Sequence, residues 1–226
     1  MLEKDTTIAV LGGTGKEGSG LALRFLDAGF RVVLGSRDPA RAGAVAAALN
    51  ERLSCDRASG AGLTEAAAAG DIVLLTVPYA AQLATLALVR DALQGKILVD
   101  VTVPLVSPKV ARVQLPAQGS AVVAGQELLG EGVHVVSAFQ NVSHERLEAL
   151  GRPVGCDVLV CGDSKEARET VVALAAAIGI AAYHAGGLAN SAAAEALTSV
   201  MIFMNRHYKA QGAGIAVIGM PASGAE

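Results

Sequence analysis

Short apolar runs recur along this chain between longer stretches with helical spacing, and glycine or a polar turn separates most of them. The first run, Ile8-Ala9-Val10-Leu11, leads into Gly12-Gly13-Thr14-Gly15-Lys16-Glu17-Gly18 and then into Ser19–Leu26, which has helical spacing. Gly29 stops that helix, and Arg31–Gly35 is the next strand. Pro39–Leu53 is an alanine-rich helix with proline in its first turn, followed by a loop over Ser54–Gly62. Leu63–Gly70 is a short helix with a glycine stop. Asp71–Pro78 is a continuous apolar strand of the kind buried on both faces of a parallel sheet. Ala80–Leu93 is helical, Ile97–Val101 a strand, Ser120–Leu129 helical and Val133–Ala138 a strand. This rhythm predicts an α/β fold with a doubly wound parallel sheet.

The remainder has a different rhythm. Phe139–Ser143 is a polar turn that leaves the preceding strand at its carboxyl end. Asp157–Asp163 is a strand, Asp163 or Ser164 caps a helix to Ala177, and Ile180–His184 is a short strand. Gly186–Ser191 then leads into a long helix ending near Tyr208.

The glycine turn carries the chemistry. Gly13, Gly15 and Gly18 supply G-x-G-x-x-G directly after a strand and at the start of a helix, the context in which the pattern marks a Rossmann-type dinucleotide site. Gly13 is expected to make the tight turn, Gly15 to let a pyrophosphate approach the backbone, and Gly18 to bring the helix close to the strand. The helix N-terminus offers free N–H groups and the positive end of its dipole to the phosphates. The second strand ends Gly35-Ser36-Arg37-Asp38-Pro39-Ala40-Arg41, where an NAD site usually carries an acid for the ribose hydroxyls. A small residue, a hydroxyl and two arginines suit a 2′-phosphate instead, because guanidinium binds it bidentately; Asp38 comes one position too late to replace the acid. NADP is therefore the expected cofactor. Thr76-Val77-Pro78-Tyr79 closes the third apolar strand beside the glycine turn, where such sheets bind their ligand.

Composition narrows the rest. Hydrophobic residues make up 52% of 226 and charged residues only 17%, more apolar material than one small core needs, which points to an oligomer interface. A net charge of −3, 3% aromatics and no Trp argue against nucleic acid. The uncharged runs Ile72–Val89 and Thr170–Ala194 are broken by proline, glycine or polar residues and predict no membrane span. The charged start Met1–Asp5 predicts no signal peptide. Cys55, Cys156 and Cys161 have no metal spacing and suit buried thiols in a reducing cytoplasm; Cys156 and Cys161 are expected on one strand, on opposite faces.

In order along nearly the whole chain, these pieces resemble the NADPH-dependent oxidoreductases of the deazaflavin coenzyme F-420. The matching pieces are Val10–Gly15 with Gly18, Leu34–Arg37, Val77-Pro78, Val136–Val142, Cys156–Asp163, Leu188–Ser191 with Glu195, and Asn205–Lys209. The resemblance implies an NADP-binding Rossmann domain over residues 1–138 and a smaller C-terminal α/β domain over 139–226, with the deazaflavin between them in a homodimer. Carried over by position, Thr14, Gly15, Lys16 and Glu17 meet the pyrophosphate, and Ser36, Arg37 and Arg41 hold the 2′-phosphate. Thr76, Val77 and Pro78 border the nicotinamide. Ser137, Phe139, Gln140, Asn190 and Ser191 face the acceptor. The chain departs from the pattern at Gln140, where some archaeal members carry His, at Ala192, where some carry Arg, and at Ala216, where many carry Arg.

Hydride transfer between two coenzymes demands positioning and exclusion of water more than acid–base side chains. That agrees with a sequence lacking a Ser/His/Asp set, a Cys nucleophile or a metal cluster. Three alternatives stay open on the residues alone: an NADPH-binding redox sensor or partner domain without turnover, an NADPH-dependent imine or carbonyl reductase, and a flavin or ferric reductase.

Overall fold

The structure, a computed structural model, describes residues 5–220, so Met1–Lys4 of the charged start lie outside the described residues. Eight strands form one sheet: β1 (Thr7–Leu11), β2 (Arg31–Ser36), β3 (Ala58–Gly62), β4 (Ile72–Leu75), β5 (Ile97–Asp100), β6 (His134–Ser137), β7 (Val158–Gly162) and β8 (Ala182–His184). Their order is β3-β2-β1-β4-β5-β6-β7-β8. The helices are α1 (Lys16–Asp27), α2 (Pro39–Leu53), α3 (Leu63–Ala69), α4 (Gln82–Val89), α5 (Ala121–Leu129), α6 (His144–Glu148), α7 (Lys165–Ala177) and α8 (Ser191–Tyr208).

Alternation along the strands divides the core in two. Ile8, Val10, Ile72, Leu74, Val99 and Val136 face a cluster with α1, α2 and α7; Ala9, Leu11, Val73, Leu75, Leu98 and Val135 face a cluster with α3, α4 and α5. The doubly wound sheet is thus present, covered on both sides, and the strands it buries are the continuous apolar runs. β1 lies between β2 and β4, so the strand order reverses beside it and its carboxyl end opens a crevice.

Several expectations are corrected. Residues 58–62 form an edge strand paired to β2, not part of a loop. The sequence Ala-Ser-Gly-Ala-Gly lacks strand propensity; tertiary contacts impose it. Asn50 brackets Ala58, donating to its carbonyl at 2.9 Å and accepting from its amide at 2.8 Å, and a Cβ at Gly60 would collide with the backbone of Ala42 and Gly43. β7 runs antiparallel to β6, because a link whose only helix is the five-residue α6 returns the chain without a full crossover helix. α6 itself had no sequence signal; Arg24 of α1 holds it, donating to the carbonyls of Arg146, Leu147 and Ala149 at 2.8 Å each. α1 begins at Lys16, three residues before the expected start, so Lys16, Glu17 and Gly18 are helical. The helix expected over 80–93 is α4 flanked by 3-10 turns at Tyr79–Ala81 and Arg90–Leu93. Cys156 precedes β7 rather than lying on it; both it and Cys161 are buried.

Candidate active site

The turn after β1 is made by Gly12, not Gly13: Gly12 has φ +87°, a region closed to most side chains. A Cβ there would also lie 3.0 Å from the Thr76 carbonyl. Gly13 is required by packing instead, since a Cβ would sit 2.6 Å from Leu34 Cδ2 and 2.8 Å from the Val10 carbonyl oxygen. Gly18 lets α1 lie against β4, where a Cβ would meet Thr76 Oγ1 at 2.5 Å. The Thr76 hydroxyl and amide both donate to the Leu11 carbonyl, at 2.9 and 2.8 Å, and lock the ends of β1 and β4 together. Gly15 is the N-cap of α1 and offers no side chain to its first amides. Side chains do cap α2, α5 and α7, through Asp38, Ser120 and Ser164. The amides at the start of α1 are thereby left for an anion.

A groove of about 620 Å³ opens over this turn. Thr14, Gly15, Lys16, Glu17, Ser36, Arg37, Arg41, Thr76, Val77 and Pro78 all line it; Gly13 does not, being buried beneath. Tyr79, at the end of the Thr76–Tyr79 turn, lines it too, as do Thr85, Thr102, Val103 and Leu105, which were not singled out in the sequence. At one end, the Ser36 hydroxyl accepts from the Asp38 amide at 3.1 Å, and Asp38 accepts from the Arg41 amide at 3.1 Å as the cap of α2. That cap occupies one oxygen of the acid beside the two arginines. Arg37, Arg41 and Lys16 are exposed and enter no ion pair among the described residues. An open helix start, a hydroxyl and three free cations around one crevice fit a dinucleotide with a phosphate on its adenosine ribose. Glu17 is the exception in charge: burial first, then the facing carboxylate of Glu145, pushes its carboxyl up to about 8.

The residues expected at the acceptor lie elsewhere. The alternation that points Leu98 and Val135 toward α4 and α5 carries Asp100 and Ser137 to the same face, as register partners at the strand ends. Asp100 is fully buried; its carboxylate accepts from Gln82 Nε2 at 2.7 Å and from the Thr102 amide at 2.9 Å, and burial holds its pKa above the usual carboxylate range. Glu195 of α8 accepts from Ser120 Oγ at 2.6 Å and from the amides of Ala121 and Val122 at 2.8 and 3.2 Å. Its pKa is also raised by burial.

Ser191 shares this network, 2.7 Å from Ser120 Oγ. Gln140 donates to the Asp100 carbonyl at 2.7 Å, and Asn141 to the Ala194 carbonyl of α8 at 2.7 Å. Phe139 is buried with φ +70°, a strained value for a bulky residue, at the turn that presents these amides. Ser137, Phe139, Gln140 and Ser191 are therefore buried, Asn190 is exposed and donates to the Ala185 carbonyl, and none of the five lines the groove. Asp100, Gln82 and Glu195 were missed as a unit, although an acid ending the apolar run Ile97–Asp100 was a visible signal.

Residues 7–104, which carry the groove, match the family described as NADP oxidoreductase, coenzyme F420-dependent. The F420-dependent NADP reductase of Methanothermobacter thermautotrophicus is 40% identical over 221 residues, covering 95% of this chain and 95% of that protein. Its counterpart from Methanocaldococcus jannaschii is 42% identical over 218 residues, covering 93% and 97%. A solved structure from Arthrobacter sp. FB24 superposes with a TM-score of 0.77 at 25% identity, covering 93% of this chain and 98% of that one. A glycine turn with the geometry above, in a chain similar to these relatives from end to end, decides the matter: the chain belongs to the family of F420-dependent NADP reductases.

Proposed function

We propose that this protein transfers a hydride between NADP(H) and a deazaflavin of the coenzyme F-420 type. The observation that carries the reading is the groove itself: uncapped amides at the start of α1 and the Ser36, Arg37 and Arg41 set share one crevice at the strand-order reversal. NADPH, when bound, supplies the hydride from carbon 4 of its nicotinamide. The amides of Lys16 and Glu17 bind the diphosphate, and Thr14 and Gly15 let it approach. Ser36, Arg37 and Arg41 select the 2′-phosphate. Thr76, Val77 and Pro78 would border the nicotinamide, and the buried wall of Val101 and Thr102 would keep water from that end. Transfer needs the two reacting carbons held about 3–3.5 Å apart in a dry site, which asks for shape rather than a proton-transferring side chain.

Residues 1–138 form the cofactor half and 139–226 the acceptor half. Asn141 and Thr198 fix the 137–142 turn against α8, and Ser137, Phe139, Gln140, Asn190 and Ser191 shape the acceptor side around it. The pair works as a homodimer in the cytoplasm. Val200, Phe203, Met204 and Tyr208 support this by standing exposed along one face of α8 at helical spacing. No helix among the described residues is long and apolar enough to cross a membrane.

Mixing the protein with NADPH and F-420 and following loss of the NADPH absorbance band tests the activity. Turnover with F-420 is expected, and NADPH binding without turnover on F-420 or any flavin would replace this reading with that of a sensor. A sedimentation experiment on F203E, expected to show monomers where the unaltered chain shows dimers, tests the assembly.

A further inference from the structure

We propose that Glu17 enters the cofactor complex as a neutral acid whose proton is shared with a phosphate oxygen, so that NADP binding takes up a proton in alkaline solution. The inference rests on the NADP reading of the groove and adds a residue that tunes its affinity.

The geometry comes first. Glu17 lies in the first turn of α1 and lines the groove beside Gly15 and Lys16. Its Oε1 is buried and has no hydrogen-bond partner. Polar atoms buried in native folds find partners, and this oxygen, on a residue that lines the groove, has none within the protein. The start of α1 draws the diphosphate to the same turn. Two anionic oxygens brought together there repel each other, whereas a carboxylic acid donates to the phosphate.

The charged and titratable surroundings agree. From α6, Glu145 faces Glu17, and its own pKa is held low chiefly by the Ser143 hydroxyl, so it stays ionised. His144 and Lys16 lie beside Glu145. On the segment before β7, Cys156 lies near Glu17, with Arg146 and Asp157 close to the thiol; burial raises the thiol's pKa and keeps it uncharged. Glu17 enters no ion pair among the described residues. With burial already pushing its carboxyl up to about 8, the negative charge of a bound cofactor pushes it further. The difference is taken from solvent as a proton: carboxylate plus H⁺ plus cofactor gives the complexed acid, with no redox change. Above pH 8 the affinity then falls, toward about tenfold per pH unit. The 2′-phosphate of the free cofactor titrates near about 6 and does not contribute in this range.

Titration calorimetry of NADP⁺ at pH 8.5, in two buffers of different ionisation enthalpy, reads the proton directly. We expect uptake on the order of 0.5 proton per cofactor and an affinity that declines from pH 7.5 to 9.5. E17Q is expected to show no uptake and no decline. E145Q alters an exposed carboxylate outside the groove; by removing a like charge it is expected to move the decline to lower pH. Binding without uptake and with affinity constant to pH 9.5 overturns the proposal, as does uptake that persists in E17Q or a decline unmoved in E145Q. Absence of NADP⁺ binding at pH 7.5 overturns the groove reading itself, and this proposal with it.

Discussion

Two stretches of the sheet's carboxyl edge use polar residues in opposite ways. Over β1 and β2, the groups that matter are spare: Lys16, Arg37 and Arg41 are exposed and enter no ion pair among the described residues, and the amides of α1 have no cap. Over β5 and β6, the polar groups are spent on the fold. Gln82, Asp100, Ser120, Gln140, Ser191 and Glu195 are buried and bonded to one another or to backbone, while Gln82 Oε1, Gln140 Oε1 and the Ser137 hydroxyl are buried without a partner. A region that keeps charged donors exposed and unpaired is built for a ligand; one that buries its polar groups and bonds most of its donors internally holds elements in register. Changes in the first should therefore alter affinity and leave stability, and changes in the second should do the reverse.

The largest effect expected is from Glu195→Ala. The substitution leaves Ser120 Oγ and the amides of Ala121 and Val122 without their shared acceptor in a site that is 1% exposed. The Val122 amide keeps Ser120 Oγ and Ser120 keeps Ser191, so the Ala121 amide is the stranded donor. That donor costs about 1–3 kcal/mol, and with the lost packing urea unfolding should show a loss of about 2–4 kcal/mol. NADP affinity of the folded fraction should stay within about twofold. A tenfold loss of NADP affinity with normal stability would place Glu195 among the ligand-binding groups and erase the contrast.

Next comes the double substitution of Arg37 and Arg41 by Ala. Charge-assisted bonds to a phosphate are worth about 0.7–1.4 kcal/mol each at an exposed site, so NADP affinity should fall about 10- to 100-fold. NAD affinity should change less than about threefold, and the unfolding free energy by under about 0.5 kcal/mol, as for ordinary surface positions. Equal losses for the two dinucleotides in calorimetry would show that the arginines do not read the 2′-phosphate.

A smaller effect separates the regions by pH. Asp100 is buried and its folded pKa stands above its unfolded value, so the native state binds the proton more tightly. Stability is then highest in mild acid and declines as pH rises from about 4 toward the folded pKa. Thermal melts between pH 5 and 8 should show the midpoint falling with pH, and D100N should flatten that slope. Glu17 and Glu195, raised in the same direction, keep part of it. A slope unchanged in D100N would mean that Asp100 is ionised in both states.

The same contrast explains what was legible in the sequence. Much of the groove is local: a strand, a turn and a helix start within Ile8–Gly18, plus a strand end at Ser36, so spacing pointed to the crevice and the family resemblance carried over ten of the residues that line it. Even there, which glycine takes the positive φ depended on how the turn meets Thr76 just past β4, and the sequence pattern favoured Gly13 over Gly12. The β5–β6 network is non-local. Gln82, Asp100, Ser120 and Glu195 come from α4, β5, the cap of α5 and α8, and no periodicity links them. β3 was hidden for the same reason, because Asn50 and the close approach of Gly60 to α2 make it a strand, not its own residues. The antiparallel β7 followed from a link too lightly built for a crossover helix, which residue patterns on either side do not report.

The smallest expected effect sits at the boundary between spare and spent. Asp38 lines the groove, yet one carboxylate oxygen caps α2 through the Arg41 amide. If its task is the cap, D38A should cost about 1 kcal/mol, whereas D38N, whose side chain caps equally well, should cost almost nothing. Its charge lies beside the position assigned to the 2′-phosphate, so D38N should tighten NADP binding about two- to threefold at low salt. At about 1 M salt the gain should vanish, because screening there acts over about 3 Å. NAD offers no 2′-phosphate to repel there and should bind D38N as it binds the unaltered protein. Should D38N instead weaken NAD markedly, Asp38 would be the ribose acceptor, the acid would belong to the ligand rather than to α2, and the arginines beside it would no longer set the choice of cofactor alone.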